Sequence, residues 1–252
     1  RRSRFAAVVG AIAIAVALSA CVPAAPAIPT SQPQGPQPPA DGPITLQVLA
    51  TIVTEDDAPA QSLFDVGAAS TSGADLLSEQ DYWVAVGGRP EECRDVVSSP
   101  YLVSSADATD AARTDDPTGA LGTYSEDEDL FGLVQVYGRI FDDEARATSF
   151  LAEFTQTVAA CPAYQLTGDD GTVSYDAVGL HLQESTTAPI GTRQLVFSED
   201  VAGSDILGVS TTFVQRKNAV IAIYAELYPS STMTAADVAT LTATITGRLA
   251  AL

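Results

Sequence analysis

A catalytic chain that works near neutral pH needs a general base, and this sequence holds one histidine, His181. In Val178-Gly179-Leu180-His181-Leu182 side chains alternate along a strand, so His181 faces away from Leu180 and Leu182. It reads as a histidine on the less apolar face. A Ser-His-Asp site would have to use it, yet the serine candidate, Gly208-Val209-Ser210-Thr211-Thr212, lacks the second glycine of a nucleophile elbow. No Gly-rich phosphate loop, His-Glu-x-x-His or dinucleotide fingerprint occurs. The chain is read as a non-enzyme with no catalytic residue.

Cysteine chemistry is more informative. Arg1, Arg2 and Arg4 precede an apolar run from Phe5 to Leu18, and Leu18-Ser19-Ala20-Cys21 follows with the pattern of a bacterial lipobox. The lipobox implies diacylglycerol on the Cys21 sulfur and cleavage before Cys21. The run falls short of the roughly 20 residues that span a bilayer, and Pro23, Pro26 and Pro29 follow at once. Residues 1–20 are read as a lipoprotein signal, with the mature protein lipid-anchored on the extracytoplasmic face. Cys93 and Cys161 then share an oxidising compartment, where a free pair tends to be bridged. Two buried thiols are the alternative. A zinc site wants four ligands, and two distant cysteines with one histidine cannot supply them.

Acids outnumber bases by 32 to 12, and losing the three N-terminal arginines takes the net charge from −20 to −23. That surface repels phosphate backbones and anionic headgroups. Nucleic acid is excluded as a partner, and membrane contact is left to the lipid. Glu126-Asp127-Glu128-Asp129, Asp142-Asp143-Glu144 and Asp169-Asp170-Gly171 are the acidic clusters. They lack EF-hand spacing and read as solvating or capping groups, with weak calcium binding the rival use. No metal site and no cofactor is expected. Trp83, Tyr82, Tyr101, Tyr137, Tyr164, Tyr175 and Tyr224 are numerous enough to line a groove, although Trp83 fits a core better.

The elements that would position these residues begin after a stalk. Residues 22–43 carry eight of the fifteen prolines, a composition that builds no core and favours extended polyproline II. With Cys21 they form a linker over 21–43, leaving one domain over 44–252. Ile44 to Val53 is apolar without a clear period, and residues 54–73 read as loop. Ser78 opens a short helix that Gly87-Gly88 stops, and Pro90-Glu91-Glu92-Cys93 looks like the first turn of another. Residues 104–119 read as a polar loop, and Leu130 to Phe141 as a strand. Asp142 is expected to cap a helix carrying Phe150, Leu151, Phe154 and Val158, ended by Cys161-Pro162. Four strands follow, over Thr172–Gln183, Thr192–Glu199, Ile206–Gln215 and Ala219–Tyr228, the last two joined by Arg216-Lys217-Asn218. A closing helix has Thr234 and Asp237 as its capping pair and Val238, Leu241, Ile245 and Leu249 as its stripe. This order predicts an α+β fold, a twisted antiparallel sheet with helices packed on one face, framing a cleft.

Three segments together resemble the extracellular sensor domain of PknH-type serine/threonine kinases, a module also found in actinobacterial lipoproteins. They are Leu76-Leu77-Ser78 through Gly87-Gly88-Arg89-Pro90-Glu91-Glu92-Cys93, Val136-Tyr137-Gly138-Arg139-Ile140-Phe141 with the helix ending Ala159-Ala160-Cys161-Pro162, and Thr212 to Ile223 with the terminal helix. The resemblance implies an α+β domain whose cleft takes an extracellular ligand, and it matches Cys93 and Cys161 to a family disulfide. A second disulfide of the kinase domains has no cysteines here, and no kinase motif accompanies the domain. The expected function is a cell-surface lipoprotein with a non-catalytic, ligand-binding sensor-like domain. The alternative is a structural or interaction lipoprotein that meets an envelope protein and has no small-molecule pocket. A deep apolar cleft with a few convergent polar groups would favour sensing, and a filled sheet face would favour the alternative.

Overall fold

Ala219–Leu227 reads AVIAIYAEL, apolar at almost every position, and such a strand is stable only where both of its faces are covered. In the computed structural model it is the interior strand β8 of one sheet. The structure describes residues 42–59, 62–67, 93–102, 117–126, 132–167, 173–203 and 206–252. The other strands are β1 (Leu63–Val66), β2 (Thr118–Ser125), β3 (Leu133–Ile140), β4 (Tyr164–Thr167), β5 (Val173–Glu184), β6 (Arg193–Val201) and β7 (Gly208–Arg216). All neighbours pair antiparallel, in the order β1-β2-β3-β8-β7-β6-β5-β4. The helices are α1 (Leu46–Ala50), α2 (Arg94–Val97), α3 (Glu144–Ala160) and α4 (Ala235–Ala250).

This corrects the expected fold. A single open, uncurled sheet of eight strands dominates the described residues, and helices cover both of its faces. On one face, Ala147, Leu151, Phe154 and Val158 of α3 pack with Tyr137, Leu195, Phe197, Phe213, Val220 and Ala222. On the other, Leu241, Ile245 and Leu249 of α4 and Leu46 and Leu49 of α1 pack with Val136, Val214, Ile221 and Ile223. Alternate residues of β8 divide between these cores. The continuous apolar run therefore required two helical layers, where the one-face arrangement supplies one.

The helices begin where local chemistry directs. Thr234 and Asp237 form the expected capping box on α4. The cap of α3 is Asp143, whose carboxylate accepts from Arg146 N at 2.8 Å, one residue later than the expected Asp142. Ile44 to Val53, ambiguous in sequence, turns helical behind Thr45, which caps α1 and lets Leu46 and Leu49 share one buried face. The Arg248 guanidinium grips the Asp57 carboxylate with both nitrogens (Nη2 to Oδ1 2.8 Å) and donates to the Ile52 carbonyl, tying α4 to the segment after α1. Burial pulls the Asp57 carboxyl up, but Arg248 and the Thr54 hydroxyl outweigh it and hold it below its ordinary value.

β1 lies where loop was expected, and β2 starts at the end of the loop expected over 104–119 and runs through residues to which no element was assigned. Leu63 and Val66 are exposed, so β1 shows no alternation and is held by its ladder with β2. β2 reads TGALGTYS, with a register shift between Ala120 and Gly122 that breaks its period. Gly122 is required there, because a Cβ would lie 2.7 Å from the Phe64 ring and 2.8 Å from the Val53 side chain. The helix expected after Ser78 falls outside the described residues, as do Cys21, Trp83 and Tyr82.

Candidate functional site

On the α4 face the sheet is covered unevenly. α4 packs on β8 and on Val214 of β7, and its flank lines a groove over the rest of β7 and β6. A groove of about 930 Å³ remains, within the range of sites that hold small molecules. Its floor is Gln194, Val196, Ser198 and Asp200 of β6 and Gly208, Ser210 and Thr212 of β7. Its wall is Ala235, Val238, Ala239, Thr242, Ala243 and Thr246 of α4. Small and hydroxyl-bearing residues stand at floor positions where a helix-covered strand would carry Val, Ile or Leu.

The hydroxyls on the two sides of α4 behave differently. On its outer side Thr240 Oγ1 donates to the Ala236 carbonyl at 2.8 Å, and Thr244 Oγ1 to the Thr240 carbonyl at 2.9 Å. That back-bonding is the usual resting state of a helical threonine. Thr246 lines the groove, is 2% exposed, and its Oγ1 is buried with no hydrogen-bond partner. Leaving a buried hydroxyl unsatisfied costs about 1–3 kcal/mol.

His181, Ser198, Ser210 and Ala225 form one cross-strand row on this face. The structure thus brings the histidine and the candidate serine onto the same face of the sheet, with β6 between them. His181 Nε2 lies 2.9 Å from Asp200 Oδ2, and both side chains are exposed. The nitrogen that would activate a serine faces a carboxylate. β6 and β7 are interior strands, so their N–H groups are committed to the ladder.

Glu126 holds the rim. Its carboxylate accepts from Met233 N at 2.6 Å, Gly132 N at 3.1 Å and the Thr232 hydroxyl, fixing the segment that leads into α4. It is an internal strut of the fold. Asp143 serves as a helix cap, while Asp169 and Asp170 lie outside the described residues. Among the described residues, no three His, Cys, Asp or Glu side chains are grouped to hold a metal ion.

Tyr101, Tyr137, Tyr164 and Tyr175 lie on the opposite face. Tyr164 donates to Glu199 at 3.0 Å, Tyr175 donates to the same carboxylate, and the two rings stack at 5.9 Å. Tyr224 donates to Glu226 at 2.8 Å, as does Tyr228. Tyr101 and Tyr137 meet edge to face at 5.1 Å. Three of the aromatics expected to line a groove, Tyr164, Tyr175 and Tyr224, instead satisfy two acids on this face. Sequence alone did not single out Glu199, whose partners lie on β4 and β5, whereas Glu226 meets Tyr224 of its own strand two residues away.

Burial pushes the Glu199 carboxyl above its ordinary value, and the nearby Glu226 adds to this against the pull of the two tyrosine hydroxyls. Such a group binds its proton more tightly folded than unfolded, so its contribution to stability falls as pH rises from the ordinary carboxylate range through the raised value. Glu199→Gln is therefore expected to gain stability relative to wild type as pH goes from 4 to 7.5, measured by urea unfolding at each pH. A difference that stays flat or runs the other way would contradict this account.

Comparison with solved structures now bears on the whole arrangement. The fold is similar to that of the PknH extracellular domain. The crystal structure of that domain, from Mycobacterium tuberculosis, matches with a TM-score of 0.53 at 10% identity, over 82% of this chain and 97% of that one. At that identity the likeness is one of fold. No family model matches the sequence, and no curated protein matches it. Two of the three PknH-like segments are placed: 136–141 runs through β3 into α3, and 212–223 forms the β7–β8 hairpin. The first, 76–93, lies outside the described residues except for Cys93, which is disulfide-bonded to Cys161 with a Cα–Cα distance of 5.1 Å.

Proposed function

We propose that the chain is an extracytoplasmic lipoprotein, acylated on Cys21, whose domain over 44–252 binds a ligand in the α4 groove without turning it over. The observation that carries this reading is a built groove with a buried hydroxyl left unspent inside it. The PknH-like fold supports an extracellular role, and the strong acidic charge supports neither nucleic acid nor anionic membrane as a partner. The ligand is an extracellular molecule, and contact with the membrane runs through the lipid alone. The rival reading, an envelope-protein contact with no pocket, is disfavoured because the β6–β7 face is open where that reading needs it filled.

Two variants test the halves separately. Cys21→Ser is expected to leave the membrane fraction or remain unprocessed, and unchanged detergent partitioning would refute acylation. Ala243→Trp places an indole in the groove. Compounds from a cell-envelope extract that raise the melting temperature of wild type should fail to raise that of Ala243→Trp. Equal shifts in both proteins would remove the groove as the site.

A further inference from the structure

The groove also carries information about the chemistry of its occupant, and this step rests on the ligand-binding reading above. No lysine or arginine lines it, and its two acids are both engaged, Asp200 by His181 and Glu199 by Tyr164 and Tyr175. An anion would find no basic side chain there and would enter against a net charge of −20. A cation would have to displace His181 from Asp200. The site is therefore matched to an uncharged molecule.

The remaining lining divides into two kinds. Val196, Val238, Ala239 and Leu227 offer apolar surface along the groove, and Leu207 at its edge is 70% exposed, an unusual state for a leucine beside a cavity. Thr246, Thr212 and Ser210 offer hydroxyls, of which the Thr246 hydroxyl is buried too deeply for bulk water to satisfy it. A neutral sugar would want a broad aromatic platform, and Tyr228 is the single aromatic in the lining. We infer that the groove binds an uncharged amphiphile, an apolar chain ending in hydroxyl or ester oxygens, with one of those oxygens satisfying Thr246. The chain of the ligand would lie along α4 over Val196 and Val238.

The test uses the full chain and three probes: 1-monopalmitoylglycerol below its micellar concentration, palmitate, and maltotetraose. Calorimetry should show saturable binding of the monoacylglycerol, with palmitate at least tenfold weaker because of its charge. Thr246→Val, which keeps shape and removes the hydroxyl, should weaken monoacylglycerol binding about tenfold, the loss of one neutral hydrogen bond. Its melting temperature should equal or exceed that of wild type, since an unsatisfied buried group is gone. Ala243→Trp should abolish binding. Palmitate binding as tightly as the monoacylglycerol would overturn the inference, as would Thr246→Val binding like wild type. Maltotetraose binding that Ala243→Trp removes would overturn the amphiphile class while leaving the groove as a ligand site. Monoacylglycerol binding untouched by Ala243→Trp would overturn both.

Discussion

Cys161→Ala is expected to lower the unfolding free energy by about 4 kcal/mol, the loop-entropy value for a bridge across 68 residues. Both cysteines are fully buried. Cys161 caps the C-terminus of α3, and Cys93 stands immediately before α2, so the bond fastens the short helix to the long one. Losing it frees the α2 segment in the unfolded chain and removes its tether in the folded one. Urea unfolding under oxidising conditions should show a lower midpoint for Cys161→Ala. Reductant should bring wild type down to the same value while leaving the variant unchanged. A wild-type midpoint indifferent to reductant would show that the bridge contributes nothing.

Phe213→Ala should cost about 3–5 kcal/mol, the usual range for emptying a fully buried aromatic position. Phe213 is inaccessible to solvent and packs under α3, its ring centroid 4.6 Å from that of Phe154, which also meets Phe197 at 5.7 Å. The cavity would open between helix and sheet, where neither can collapse without breaking a ladder. Phe213→Leu should cost markedly less. If the two variants unfold at the same midpoint, packing against Phe154 is not what holds this layer.

Much of the C-terminal architecture was legible because the signals there are local. The Thr234-Asp237 pair fixes the start of α4, and the β7–β8 hairpin follows from two apolar runs around a two-residue turn. The second helical layer was also encoded, in the unbroken apolar run of β8, but the order of strands and helices alone does not say which face each helix covers. β1 and β2 were hidden for a different reason. β1 depends on a partner about 60 residues away, as in Leu63 opposite Ser125, and the Gly, Thr and Ser of β2 mimic a loop. The groove was illegible for the same cause: its hydroxyls come from β6, β7 and α4, and only the fold sets them side by side. His181 and Asp200, nineteen residues apart, likewise meet through the β5–β6 register.

One small feature has mechanical meaning. At the β7–β8 turn, Asn218 accepts from Ile44 N at 2.9 Å and donates to the carbonyls of Ile44 at 3.2 Å and Phe141 at 3.1 Å. Beside it, Lys217 donates to the Leu252 carbonyl oxygen at 2.8 Å. The point where the chain joins the domain is thus stapled to the tip of the two most buried strands. Tension arriving through Gly42 is delivered to the middle of the sheet, where many ladder bonds share the load, and bypasses the short edge strand β1 that would peel most readily. The first thing to yield would be the Asn218 staple with α1, leaving the sheet and the overhanging α4 in place.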